Sequence, residues 1–595
     1  MDISQRISAL RKEMKHAGVD FYLIPTADYH QSEYVGDYFK FREYMTGFTG
    51  SAGTALFLQD RAILWTDGRY FIQAEKELKG SEIELFRSGE PNIDTIEEFL
   101  KKEMKSGMTL GFDGRTIGYS DGENYKKIAE EANGSISPDC DFASLLWEER
   151  PALSTEPAFL LEDAYAGESV ASKLQRVREK MTEYHCDVQV LSSLDDIAWL
   201  LNIRGNDIAY CPLVLSYLIV YNEMVELYAD KDKFSEDILE VFAENNVKVL
   251  PYNDVYQALS EIGAEHTILF DPQIISYSLY QKLPEQAKKV AKDTPEILMK
   301  SIKNEIQVEN LRKAHLKDGI AHTKFMYWLK KNLGKEKITE LSASDKLEAF
   351  RAEQPGFMGP SFGPISAYAA HGAIVHYSAD ETSDLELKPG SLFMTDTGGH
   401  YPEGSTDITR TVALGEVGQT EKEHFTLVAR AMLRLANTVF LHGCSGANLD
   451  CIAREVFWKE RLNFNHGTGH GVGYLLNIHE GPINFRWKEG QKPAQTLEKN
   501  MVITDEPGIY IEGSHGIRLE NELLVREAEC NEYGQFMKFE ILTFVPIDLD
   551  ALLPEKMNEE ERQMLNAYHA QVYEKIGSYL TEEEQIWLKK ATRQI

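Results

Sequence analysis

The chain repeats itself. Arg11-Lys12-Glu13-Met14 in the first quarter recurs as Arg178-Glu179-Lys180-Met181 in the second. Each copy continues into Asp and an alternating apolar run, Asp20-Phe21-Tyr22-Leu23-Ile24 and Asp187-Val188-Gln189-Val190-Leu191. Further on, the segment from Tyr44 to Gly50 parallels that from Trp199 to Gly205, and Trp65-Thr66-Asp67 with Phe71 parallels Tyr228-Ala229-Asp230 with Phe234. Self-similarity at a long offset means that one structural plan is used twice. Each copy reads helix, strand, helix and then hairpin strands, which is an α/β plan. Two related N-terminal domains are expected, 1–155 and 156–300, separated by a linker from Trp147 to Pro157 in which two prolines break the periodicity.

With 595 residues, the chain has room for more than two domains of about 100–200 residues each. Beyond residue 300 a long helical stretch, Ile302 to Asn332, precedes glycine-rich turns that alternate with short strands and two helices, a third domain over 301–545. One helix is expected to open on the capping box Thr420-Glu421-Lys422-Glu423 and to bury Val428, Met432, Leu435 and Val439. The segment 546–595 is rich in Glu and Lys, with apolar residues at Met564, Leu565, Tyr568, Val572, Ile576 and Leu580. It reads as amphipathic helices that either cap the third domain or form an interface.

Composition excludes several classes. Hydrophobic residues at 43% and charged residues at 27% are those of a globular protein. A net charge of −32 disfavours nucleic acid and anionic membranes as partners. Six cysteines without a C-x-x-C pair point to neither a disulfide framework nor a thiolate zinc site. The start, Met1-Asp2-Ile3-Ser4-Gln5-Arg6, does not read as a secretory leader, and the most apolar stretch, Pro212 to Tyr221, is half the ~20 residues of a spanning helix. A cytoplasmic protein is expected.

Chemistry concentrates between residues 366 and 526. The apolar strand Ser391 to Thr395 delivers Asp396, and eleven residues later, past Gly404, Asp407 opens Ile408-Thr409-Arg410-Thr411-Val412. That spacing suits a hairpin that brings two carboxylates side by side, where they repel unless they share a proton or a cation. Next, His466-Gly467-Thr468-Gly469-His470-Gly471-Val472-Gly473 holds four glycines in eight residues, too many for a helix and more in keeping with close backbone approach or unusual φ. His479-Glu480-Gly481-Pro482 adds an imidazole expected at a turn. The strand Met501 to Thr504 ends in Asp505-Glu506-Pro507-Gly508, and Gly516-Ile517-Arg518-Leu519-Glu520-Asn521 leads into another. Carboxylates buried among apolar strands need a cation, supplied by Arg518 or by metal. Four carboxylates with one imidazole (Asp396, Asp407, His470, Glu506, Glu520) suit two divalent ions of the Mn²⁺, Fe²⁺ or Co²⁺ type, with Zn²⁺ also possible. Such a pair activates water for hydrolysis.

In that order, and within HGTGHGVG, HEGP, TDEPG and GIRLEN, these five residues resemble the ligand set of the pita-bread dinuclear metallopeptidases. This family includes methionine aminopeptidase, prolidase and aminopeptidase P. The duplicated N-terminal domains, the junction from Trp147 to Pro151 and the C-terminal segment resemble the long, three-domain aminopeptidases P. The resemblance implies two creatinase-like α/β domains, then a pita-bread domain with a helical extension. It implies an aminopeptidase that cleaves the Xaa-Pro bond of peptides with proline second, through a hydroxide bridging two metals, Mn²⁺ foremost, in a homodimer. Asp396 would chelate one metal, Asp407 and Glu520 would bridge both, and His470 and Glu506 would hold the other, Glu506 also exchanging the proton of the water. His376 would contact substrate, and His466 and His479 would stabilise the tetrahedral intermediate. Arg518 and Arg410 would orient ligand carboxylates. The segment Ala369-Ala370-His371-Gly372 departs from the family pattern near the expected substrate wall, with His371 read as a loop residue. The alternatives are a prolidase restricted to dipeptides and a metal-free binding protein of the same fold.

Overall fold

The computed structural model describes residues 1–488 and 493–595, which form two compact units, 1–161 with 168–297 and 162–167 with 298–595.

The first unit contains the repeat. One six-stranded sheet runs in the order Ile83–Arg87, Ala62–Thr66, Thr54–Leu58, Phe21–Pro25, Thr109–Phe112, Ser135–Ser137. The other runs Val247–Leu250, Val225–Ala229, Ser216–Tyr221, Val188–Leu191, Thr267–Phe270, Lys288–Ala291. Strand for strand the two agree in order and direction, with antiparallel pairs in the hairpins and parallel pairs outside them. The recurring RKEM-type segments lie on the leading helices Ile3–Ala17 and Val170–Glu183, whose Ile7, Leu10, Met14 and Val170, Leu174, Val177, Met181 are buried. The apolar run after Pro212 ends as a central strand of the second sheet, and no described helix is long and apolar enough to cross a membrane.

The two copies share one unit because they are bonded to each other. The N–H groups of Tyr119 and Ser120 donate to the carbonyls of Ile275 and Pro272, and the Tyr119 and Tyr280 rings stack at 3.6 Å. No helix or strand lies between Leu146 and Phe159, as the prolines there require.

In the second unit the helix Glu305–Asn332, capped by Asn304, carries a wide buried face. The segment 162–167 joins this unit because Asn304 and Asn310 donate to the carbonyls of Ala166 and Ala164. A three-stranded sheet (Ile365–Tyr368, Ser391–Thr397, Ile408–Leu414) and a six-stranded sheet (Val439–Leu441, Gly534–Ile541, Asn521–Asn531, Val502–Asp505, Gly469–Val472, His479–Phe485) supply the strands of the site. The Glu520 N–H donates to the Thr409 carbonyl and links them.

Two expectations need correction, and one left open is decided for packing in cis. The helix expected at Thr420 is Gln419–Ala436, with Gly418 as its N-cap and no side-chain cap. Thr420 already lies inside the first turn. Val428, Met432 and Leu435 are buried, whereas Val439 is 60% exposed because Asn437 ends the helix and Val439 begins an edge strand. His479 is not at a turn, since it opens the strand His479–Phe485, pairing with Val472. The C-terminal helix Glu559–Ile576 packs in cis. Its Leu565, Tyr568, Val572 and Ile576 share one core with Phe425, Met432, Ile503 and Leu523. All six cysteines are free thiols.

Candidate metal centre

Strand register brings the acids together. Asp396 pairs across the sheet with Thr409, and Asp407 stands two residues before Thr409. Side chains two apart share a face, so Asp396 and Asp407 are diagonal neighbours on one surface. Thr409 also donates its hydroxyl to Glu520 Oε2 at 2.8 Å, which fixes the third carboxylate beside them.

His470 reaches the same surface from the strand Gly469–Val472. A Cβ on Gly469 would stand 1.9 Å from the Thr504 carbonyl, and one on Gly471 2.2 Å from that of Glu480. The glycines therefore serve close strand packing, and neither residue has positive φ. His470 Nδ1 donates to the Gly471 carbonyl at 2.9 Å, which leaves the lone pair on Nε2 facing the acids. Nε2 lies 3.4 Å from Asp407 Oδ2 and 3.8 Å from Glu506 Oε1. Glu506 follows the strand Val502–Asp505, held by its N–H on the Thr468 carbonyl.

The residues fit divalent cations. Asp407, His470 and Glu520 each offer a ligand atom, all within 4.8 Å of one another. Asp396 Oδ1 is buried without a hydrogen-bond partner. Burial, joined by repulsion from Asp407 and Asp396, pushes the Glu520 carboxyl well above its ordinary range. Burial likewise pushes Glu506 up to about 7, against the opposing pull of His470 and Arg518. Acids held so reluctantly as anions lack positive charge, which a cation supplies.

Around them runs a chain of bonds in which Arg518 was expected from the sequence and Tyr510 was not. Arg518 grips Asp396 Oδ2 through Nη2 at 2.5 Å and Nε at 3.1 Å, and donates from Nη1 to the Tyr510 hydroxyl at 2.7 Å. Tyr510 meets His466 Nε2 at 2.8 Å, while His466 Nδ1 donates to the Gly467 carbonyl at 2.7 Å. In this arrangement Tyr510 donates to Nε2, so the His466 ring presents no N–H at that nitrogen. Burial raises the Tyr510 phenol and keeps it a neutral donor. Tyr510 lies on the hairpin Gly508–Ile511 with His515–Arg518, directly across from Gly516, so pairing through that turn was its only sequence signal.

The other predicted residues take different places. His479 stacks edge-on against His470, ring centroids 4.4 Å apart. His376 follows Val375, whose carbonyl accepts from Arg518 at 3.3 Å, so the backbone beside His376 is tied to the residue that grips Asp396. His371 stands on the 3-10 turn Ala369–Ala373, with Nδ1 2.9 Å from the buried Glu340. Arg410 differs from expectation. It donates to the backbone carbonyls of Thr409, Glu520 and Val545, to Asn521 and to Tyr568, and to no ligand carboxylate. Alternation along Ile408–Leu414 points it away from Asp407 and Thr409.

Comparison with known proteins defines the class first. Residues 309–527 match metallopeptidase family M24 and residues 535–595 match the C-terminal region of that family. Residues 6–141 and 149–307 each match a creatinase/prolidase N-terminal domain. The chain is 35% identical over 616 residues to a probable Xaa-Pro aminopeptidase P of Paracoccidioides brasiliensis, covering 100% of both. It is 35% identical to aminopeptidase P1 of Lotus japonicus, covering 99% of each. The crystal structure of X-prolyl aminopeptidase from Caenorhabditis elegans, described as a cytosolic enzyme with a dinuclear active site, superposes with a TM-score of 0.96 at 33% identity over 100% of both chains. The chain belongs to the Xaa-Pro aminopeptidase P family of M24 metallopeptidases.

Proposed function

We propose that this protein is a metal-dependent aminopeptidase that hydrolyses the bond between the first residue and a proline in second position of peptides. The observation that carries this reading is the convergence of Asp396, Asp407, His470, Glu506 and Glu520 on one surface of a chain that matches aminopeptidases P from end to end. A structure of Xaa-Pro dipeptidase from Bacillus anthracis, 23% identical with a TM-score of 0.52, covers only 65% of the chain and shows the fold alone. The prolidase reading therefore gains nothing specific, and the donor set speaks against a metal-free binding protein.

Asp396, Asp407, His470, Glu506 and Glu520 are proposed to hold two divalent ions, Mn²⁺ foremost because oxygen donors outnumber the single imidazole. When bound, such ions polarise the peptide carbonyl and acidify water. Glu506 is the proposed proton carrier, because its carboxyl abuts the centre, with Oε1 3.8 Å from His470 Nε2. Arg518 holds Asp396 in place with two charged donors that converge on Oδ2 and leave Oδ1 without a hydrogen-bond partner. His376 is assigned to substrate contact, and His466 and His479 to stabilising the tetrahedral intermediate as N–H donors, His466 by exchanging its bond to Tyr510.

The domain limits 1–155, 156–300, 301–545 and 546–595 are proposed on the linker without regular structure and on the family matches. A cytoplasmic location follows the description of the nematode enzyme. A homodimer is proposed through the C-terminal segment, where Tyr573, Tyr579 and Ile586 remain exposed. Hydrolysis of a tripeptide Xaa-Pro-Xaa tests the central reading, and a protein that cleaves only dipeptides would overturn it.

A further inference from the structure

Asp407 lies one residue outside the strand Ile408–Leu414, whose ladder with Ser391–Thr397 ends at the pair Thr397 and Ile408. The ladder therefore offers its N–H no partner. Glu522 supplies one, accepting that N–H on Oε1 at 2.7 Å. The other oxygen of Glu522 lies 3.0 Å from Nε2 of His315, on the long helix Glu305–Asn332. His315 Nδ1 stands 3.5 Å from the Thr543 hydroxyl, and Thr543 in turn accepts the N–H of Glu522 at 2.9 Å. His315, Glu522 and Thr543 are completely buried, and Asp407 is 4% exposed.

Glu522 Oε1 accepts from the Asp407 N–H, and Glu522 Oε2 and His315 Nε2 face each other across 3.0 Å, both buried and neither with a hydrogen-bond partner elsewhere. Glu522 is thus a further buried acid beside the centre, one that turns its oxygens to the Asp407 N–H and to His315. We propose that His315 and Glu522 are positioning residues, a buried relay from Thr543 that fixes the Asp407 peptide and thereby aims the Asp407 carboxylate for metal binding. The proposal rests on Asp407 being a metal ligand.

Partners of this kind behind a ligand affect metal affinity by about 10–100-fold. The test is Mn²⁺ titrated into the chelated full-length protein, with affinity read by chelator competition and folding read by circular dichroism and melting in chelator. Glu522→Val, which removes the acceptor, is expected to weaken Mn²⁺ binding by about 10–100-fold with the fold retained. Glu522→Gln is expected to bind close to the parent, because its amide oxygen still accepts from Asp407 and its NH₂ donates to His315 in the other tautomer. Parent-like affinity in folded Glu522→Val overturns the proposal. If that variant does not fold, His315→Gln takes its place under the same criterion, weakened binding supporting the relay and parent affinity overturning it. Asp407→Asn separates the two readings. Unchanged affinity there refutes Asp407 as a ligand, whereas a loss there with none in Glu522→Val refutes the relay alone.

Discussion

At the scale of single residues, the centre is a balance between acids that repel and a few side chains that hold them still. Glu506 carries the heaviest demand, as both proposed ligand and proton carrier. Glu506→Ala is expected to lower kcat by at least the ~10²–10⁴-fold typical of a lost acid–base group, with the melting temperature of the chelated protein near the parent's. An unchanged kcat would remove Glu506 from the mechanism. Tyr510 is the residue that links Arg518 to His466. Tyr510→Phe keeps the ring but cuts both bonds, and is expected to lower kcat/KM by about 10–100-fold while leaving Mn²⁺ stoichiometry intact. Parent-like kinetics would show the link to be incidental. The acids and imidazoles of the centre were legible in the sequence because each stands in a short motif beside a strand. Tyr510, Glu522 and His315 were not, because nothing local marks a tyrosine in a hairpin or a histidine within a helix. Their meaning comes from contacts across as many as 228 residues. Arg410 was misread for a related reason. Its proximity in sequence to Asp407 was visible, but strand alternation turns it to the other face.

At the scale of elements, the sequence revealed the repeat almost completely, since alternating apolar runs and helix periodicity recur in both copies and the two sheets follow one order. The exact ends of elements were harder. Val439 keeps helical spacing with Leu435, yet the chain leaves the helix at Asn437 and the apolar side chain goes to an edge strand. The C-terminal segment left two options open, and the buried stripe from Leu565 to Ile576 takes up the first by packing in cis, while Tyr573, Tyr579 and Ile586 stay exposed. Tyr568 joins that helix to the site's own strand. Its hydroxyl accepts from Arg410 at 2.8 Å and lies 2.7 Å from the Val545 carbonyl. Tyr568→Phe is expected to cost about 1–3 kcal/mol, because buried partners lose their bond. Chemical denaturation of the second unit's signal checks this, and an unchanged midpoint would mean that water or rearrangement replaces the hydroxyl.

At the scale of the whole molecule, charge is plentiful and mostly solvated, so the buried exceptions carry the information. Glu296 in the first unit is one, fully buried, its two oxygens each within 2.9 Å of the Gln189 amide nitrogen. Burial, reinforced by Asp196, raises its carboxyl to about 8. A folded-state value above the unfolded one means that its contribution is complete below about pH 4.5 and is lost as pH rises through about 8. Glu296→Gln, which stays neutral, should therefore gain in melting temperature relative to the parent between pH 5 and pH 8. A difference that does not change with pH would show that Glu296 is not protonated in the folded protein.

The central claim is that one surface of acids, with a single imidazole, makes this chain a metal-dependent Xaa-Pro aminopeptidase. Release of the first residue from an Xaa-Pro-Xaa peptide, measured on the chelated protein and again after Mn²⁺ is restored, tests it most directly. The structure predicts no release in chelator and recovery with Mn²⁺. Release that persists undiminished in chelator, or none under either condition in a protein that retains its fold, would contradict it.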